Sequence, residues 1–171
     1  MAETLKIWQK NVELNSLHPY SFSKIDDTYI FTTKHGIIYH VYFLDAHVYH
    51  PNFKNTFIFN IEQGIPSTQK APLDKRIGDT IVSILVAFFK TIDNAMVMVC
   101  DTLDGRQLKR KMRFDRWFKE YSNGEIERFD ACADTDEGQM YASIYINSNN
   151  INKSSLVKSF YEIVSNDFYP L

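Results

Sequence analysis

The chain has 171 residues, the size of one domain, with 44% hydrophobic and 15% aromatic residues and a formal net charge of −2. That balance argues against a nucleic-acid binder, which carries a basic excess or a long basic face. Two cysteines, Cys100 and Cys132, make no disulfide framework, and glycine is too scarce for a glycine-rich phosphate loop.

There is no run of about eighteen apolar residues and no apolar leader segment. The expectation is a single cytoplasmic domain over residues 1–171, with reduced thiols and no membrane contact. In chain order, AETLKIWQKNVEL spaces Leu5, Trp8 and Val12 as a short helix would. Residues 20–46 are rich in Tyr, Phe, Ile, Val and Thr and read as two or three antiparallel strands, punctuated by Asp26-Asp27 and Lys34-His35-Gly36. In the third strand, Ile38, His40, Tyr42 and Leu44 share one face, and Ile37, Tyr39, Val41 and Phe43 the other. Both faces are apolar or aromatic, so both are expected to be covered. A loop at 46–51 and a further strand in NTFIFNIEQG follow, then a polar connector bracketed by Pro66 and Pro72.

From Asp74 to Ile92, residues Ile77, Ile81, Ile84, Leu85, Phe88 and Ile92 fall on one helical stripe, with Asp74 as N-cap and Asn94 as stop. AMVMVC is continuously apolar, as a buried central strand should be. A basic helix from about Gly105 to Tyr121 comes next, then the turn signal Asn123-Gly124. IERFDACAD and MYASIYINSN read as two more strands. SLVKSFYEIVSNDFY reads as a last helix with Leu156, Phe160 and Ile163 inward and Ser154 or Ser155 as cap. The fold class is therefore α+β (α/β): a mixed, mainly antiparallel sheet flanked by helices, with one strand–helix–strand crossover through its middle.

The densest stretch is CDTLDGRQLKRKMRFDRWFKEY, Cys100 to Tyr121. On a helical wheel Phe114, Trp117, Phe118 and Tyr121 form the core stripe, and Arg106, Lys109, Arg113 and Arg116 the charged back. Gln107 and Arg110 share the azimuth of the aromatics, so they point inward near the C-terminal edge of AMVMVC, where open sheets receive ligands. Two readings are open. Arg110 and Gln107 could line a pocket for an anionic or carbonyl group at a helix N-terminus. Alternatively, Arg110 pairs with Asp101 or Asp104 and pins the turn to the helix, which is the preferred reading. The basic back is either a docking surface for an acidic partner or, preferably, a solvated face.

Other constellations are weaker. His47-x-x-His50 lies near Asp45, His35 and His40, but no CxxC or HExxH pattern supplies a convergent ligand set, so no metal is expected. Cys100 beside Asp101 has no nameable base and reads as a small apolar residue.

DKRIGDTIVSILVAFF and VCDTLDGRQLKRKMRFDRWF, with the earlier YSFSK…YIFTTKHGIIYHVYF, resemble an uncharacterised bacterial family, domain of unknown function 6169. That resemblance covers most of the chain and implies no known activity. The element order is also similar to the second half of the GNAT-type N-acetyltransferase fold. There, a helix after a strand pair holds the coenzyme A pyrophosphate at its N-terminal loop, which normally reads Gln/Arg-x-x-Gly-x-Gly/Ala. The corresponding positions here are Lys75, Gly78 and Thr80. Gly78 matches, Lys75 is a tolerable cation, and Asp79 adds a negative charge near the phosphates. On the second helix the family's Asn, small residue and Tyr correspond to Gln107, Arg110 and Phe114. Phe114 has no hydroxyl to protonate a leaving thiolate, and Arg110 is bulky where the cofactor arm should pass.

Two functions follow as expectations. The first is a non-catalytic, GNAT-like binding or protein-interaction domain with no cofactor, taking a protein partner or a small anionic ligand at Arg110 or on the basic helix face. The second is an N-acyltransferase using acetyl-coenzyme A. In it Lys75, Arg76 and the backbone around Gly78 would hold pyrophosphate, and Gln107 would orient the pantetheine arm.

Overall fold

The computed structural model describes residues 17–64, 73–122 and 124–166. The helix expected around Leu5, Trp8 and Val12 lies outside these residues. Seven strands form one sheet: β1 (Phe22–Ile25), β2 (Thr28–Thr32), β3 (Ile38–Asp45), β4 (Thr56–Gln63), β5 (Ala95–Cys100), β6 (Ile126–Thr135) and β7 (Gly138–Asn147). Three helices accompany them: α1 (Lys75–Phe88), α2 (Gln107–Tyr121) and α3 (Lys153–Asn166). The strand order is β1-β2-β3-β4-β5-β7-β6. The class is α+β with a mixed sheet, because every neighbouring pair is antiparallel except β4 and β5. A parallel pair needs a crossover, and α1 provides it.

The β4–β5 ladder is short. It joins Thr56 to Ala95, Phe57 to Met96 and Ile58 to Val97, and stops there. Beyond that point β4 pairs only with β3, out to Gln63, and β5 only with β7, out to Cys100. The sheet therefore opens between its two halves at the C-terminal end of β5.

Alternation sorts the side chains onto two faces. Phe59, Met96, Met98, Cys100, Ile126 and Tyr145 face α1 and α2, together with Ile81, Ile84 and Phe114. Ala95, Val97, Ala142, Ile144 and Ile146 face α3 and meet Leu156 and Phe160. β5 is covered on both faces, which is why its sequence is apolar without alternation. Each buried Ile of α1 contributes roughly 1.5–3 kcal/mol.

On β3 only one face is covered. Val41 is fully buried towards α1 and α2, whereas Ile38 and Leu44 on the other face are exposed. The expectation of two covered faces therefore fails, since α3 lies against β6 and β7 at the other end of the sheet.

The helix ends also differ from expectation. α1 stops at Phe88, and Ile92 lies in the following turn, 39% exposed. The carboxamide of Asn94 donates to the Phe88 carbonyl at 2.9 Å and takes the place of the next turn's N–H. α2 begins at Gln107 rather than Gly105, because Gly105 turns the chain with φ +65° and its N–H bonds Thr102 O. α3 begins at Lys153, so Ser154 and Ser155 sit inside its first turn instead of capping it. The entry is organised by Asn150, which is buried. Its side chain accepts from Asn152 N–H at 2.8 Å and donates to the Ile92 and Asp93 carbonyls. Among the described residues, no helix is long and apolar enough to cross a membrane.

Candidate functional site

The first group of expected site residues stands at the start of α1. Asp74 adopts extended backbone geometry and caps the helix, as its sequence position predicts. One carboxylate oxygen accepts the Arg76 N–H at 3.0 Å, and the other accepts the Tyr20 hydroxyl at 2.5 Å. Burial pushes this carboxyl up, but the Tyr20 hydroxyl and the Arg76 N–H outweigh it and hold Asp74 below the usual carboxylate range. Arg76 donates to the His18 carbonyl at 2.8 Å and the Pro19 carbonyl at 3.0 Å, with its guanidinium 3.9 Å over the Tyr20 ring. Lys75 is exposed. Gly78 is buried against α2, and a Cβ there would lie 2.9 Å from Trp117 Nε1. Close helix packing thus accounts for this glycine. Asp79, only 2% exposed, accepts the His18 N–H at 3.2 Å and the Tyr121 hydroxyl at 3.1 Å. The favourable field of the helix start is therefore already met by a carboxylate of the chain itself.

The second group stands where β5 ends. Arg110 Nη1 donates to both Asp104 carboxylate oxygens at 2.8 Å, and Nη2 donates to the Asp101 carbonyl at 2.7 Å and its carboxylate at 3.1 Å. The turn is pinned to the helix in this way, as the preferred reading of Arg110 anticipates. Burial pushes Asp104 up, yet the Arg106 N–H and Arg110 hold it below its ordinary value. Gln107 is half-buried, and its Oε1 is shielded from solvent with no hydrogen-bond partner among the described residues. The Gln107 side chain runs towards Gly138 at the start of β7, and the partly exposed Arg110 turns back onto the β5–α2 turn.

The two groups are not brought together. Gly78 and Asp79 meet α2 at Trp117 and Tyr121, its C-terminal end, whereas Gln107 and Arg110 lie in its first turns. From Arg110 to Trp117 the helix rises about 10 Å.

The wedge between β4 and β5 is filled on the helical side. Phe114 is buried, edge-on to Phe59 with ring centroids 5.7 Å apart and to Trp117 at 5.2 Å. Cys100 is fully buried, and burial pushes its thiol up to about 11, so it is not a thiolate at neutral pH. Nearby, α1, α2, β5 and β7 line a half-open cavity of about 70 Å³ walled by Val82, Leu85, Phe89, Met96, Trp117 and Tyr145. His50 accepts the Asn52 N–H at 3.1 Å and lies 3.6 Å from Glu162. Among the described residues, no group of three or more His, Cys, Asp or Glu could hold a metal ion.

Sequence reasoning missed Asp79, Tyr20, Trp117 and Tyr121 as members of one constellation. An Asp five residues into a helix reads as a solvated charge, and its partners come from segments far along the chain. The one available signal was a glycine inside a strong helix, which often marks a close approach.

Fold and site together define an α+β protein with a single parallel strand pair, and with helix starts capped or pinned by the chain's own carboxylates. The model of the Family of unknown function (DUF6169) matches residues 73–162, just over half of the chain, and the chain belongs to that family. No curated protein matches it.

Proposed function

We propose that the chain is a single-domain, non-catalytic binding module of the bacterial cytoplasm, built on a GNAT-like scaffold and working through protein interaction. The strand order with one parallel pair, and the ladder that stops at Ile58, support the scaffold. The observation that carries the functional reading is the start of α1. Asp74 occupies the anion position, Arg76 is held by two carbonyls, and Gly78 is filled from behind by Trp117. Phe114 offers no acid, and Arg110 is held by two carboxylates.

The alternative is an N-acyltransferase that takes acetyl-coenzyme A, with pyrophosphate on Lys75, Arg76 and the Gly78 backbone and the pantetheine arm along Gln107. The parting of β4 from β5 and a Gln107 Oε1 with no partner among the described residues favour it. Thermal denaturation with acetyl-coenzyme A separates the two. A ligand at a hundred times its dissociation constant adds about 2.7 kcal/mol of stability. The binding-module reading expects an unchanged melting temperature at millimolar acetyl-coenzyme A. A saturable rise that disappears in Lys75→Glu would establish the alternative.

A further inference from the structure

The cations of α2 divide by face. Those turned towards the sheet are paired: Arg110 with Asp101 and Asp104, and Lys111 with Asp115 at 2.7 Å. Asp115 is shared in turn with Arg128 of β6 at 2.8 Å, and Arg128 also holds Asp130. The outward cations are different. Arg106, Lys109, Arg113, Arg116 and Lys119 are all exposed. No ion pair joins any of them to a carboxylate among the described residues. Glu120 is an exposed acid among them, and Asp115, three residues after Met112, borders this side while held by Lys111 and Arg128.

Two apolar side chains stand among these cations. Leu108 is 53% exposed and Met112 is 62% exposed. They are four residues apart and therefore neighbours on the helix surface. A single exposed apolar residue is ordinary. A Leu–Met pair bordered by cations has the anatomy of a small interface: apolar anchors inside a charged rim. The helix does not need this pair for its own packing, because Phe114, Trp117 and Phe118 already bury the opposite face. Met also adapts to the shape of what it meets.

Resting on the reading of the chain as an interaction module, we infer that this face docks an acidic, amphipathic protein segment. Its carboxylates meet the outward cations, and its apolar side chains cover Leu108 and Met112. A polyphosphate backbone would satisfy the cations but leave the pair uncovered or desolvated against charge. A membrane surface would receive only two apolar residues from a helix whose main apolar face is turned inward.

Fluorescence anisotropy on the full chain tests this with four probes. They are a labelled synthetic peptide with Glu and Leu at helical spacing, polyglutamate of equal length and charge, single-stranded DNA of equal charge, and phosphatidylserine vesicles. The Glu/Leu peptide is expected to bind best, with affinity falling as salt rises. The double variant Lys109→Glu, Arg113→Glu should abolish binding. The double variant Leu108→Ser, Met112→Ser should weaken the Glu/Leu peptide about tenfold while leaving polyglutamate unchanged. All four positions are exposed, and unchanged circular dichroism and melting would separate lost binding from lost folding. Equal binding of polyglutamate, tighter binding of DNA or vesicles, or no peptide binding would overturn the inference. Absence of peptide binding without a response to acetyl-coenzyme A removes only this docking face. A response to the coenzyme removes the binding-module reading as well.

Discussion

Gly78 shows how one residue type can serve unrelated purposes. In the sequence it matches the glycine of a pyrophosphate loop; in the structure its missing side chain makes room for Trp117. Gly78→Ala tests which constraint applies. Alanine favours an isolated helix by up to about 1 kcal/mol. Here its Cβ would meet the indole nitrogen at 2.9 Å, deep between two helices. Overpacking of that kind costs about 1–3 kcal/mol, so urea denaturation should show a net loss of stability. A gain would mean that Trp117 moves freely and that the contact does not define the packing. Arg110 was legible because two carboxylates lie just upstream on a turn that its side chain can reach. Asp79 was not, because nothing local distinguishes a buried carboxylate from a solvated one until Tyr121 and the His18 N–H are brought to it.

Among the elements, α1, β5 and α2 were readable because their apolar spacing has a period and their caps obey local chemistry. Asp74 caps α1, and AMVMVC is buried except at Val99, which is partly buried. What local pattern could not give was where a stripe stops. Ile92 continues the phase of α1, yet Asn94 closes the helix at Phe88. The buried Asn150 that joins the α1–β5 turn to α3 carries no sequence signal of its own. The α1–α2 pairing is fastened by Tyr121 and Asp79, and it has a pH signature. Burial first, then the Asp79 carboxylate, pushes the Tyr121 hydroxyl up to about 12 from 10.0. A raised folded value favours the protonated phenol in the native state. Its stabilisation is therefore complete below pH 10.0 and is lost as pH rises towards about 12. Tyr121→Phe should leave an Asp79 oxygen without its donor and cost about 1–3 kcal/mol at neutral pH. It should also flatten the alkaline limb of a stability–pH curve measured in urea. An alkaline limb unchanged by the substitution would assign that limb to other groups.

At the scale of the whole molecule, the crossover through α1 was legible, since an amphipathic helix between two apolar strands calls for parallel neighbours. The strand order was not, because pairing partners are chosen by long-range packing that no local window contains. The uncovered face of β3 has the same origin: Ile38 and Leu44 look like core residues until the position of α3 is known. What the assembled molecule offers is a sheet open beside β5, with Phe114 filling the opening, α1 capped by its own carboxylate, and an outward face of cations on α2 that pair with no carboxylate among the described residues. The most direct test follows the backbone amides of Arg76, Ile77 and Gly78 by nuclear magnetic resonance while acetyl-coenzyme A is added to millimolar concentration. A binding module whose helix start is already satisfied by Asp74 predicts that these three resonances stay where they are. Saturating shifts at all three would contradict it and return the chain to the acyltransferases.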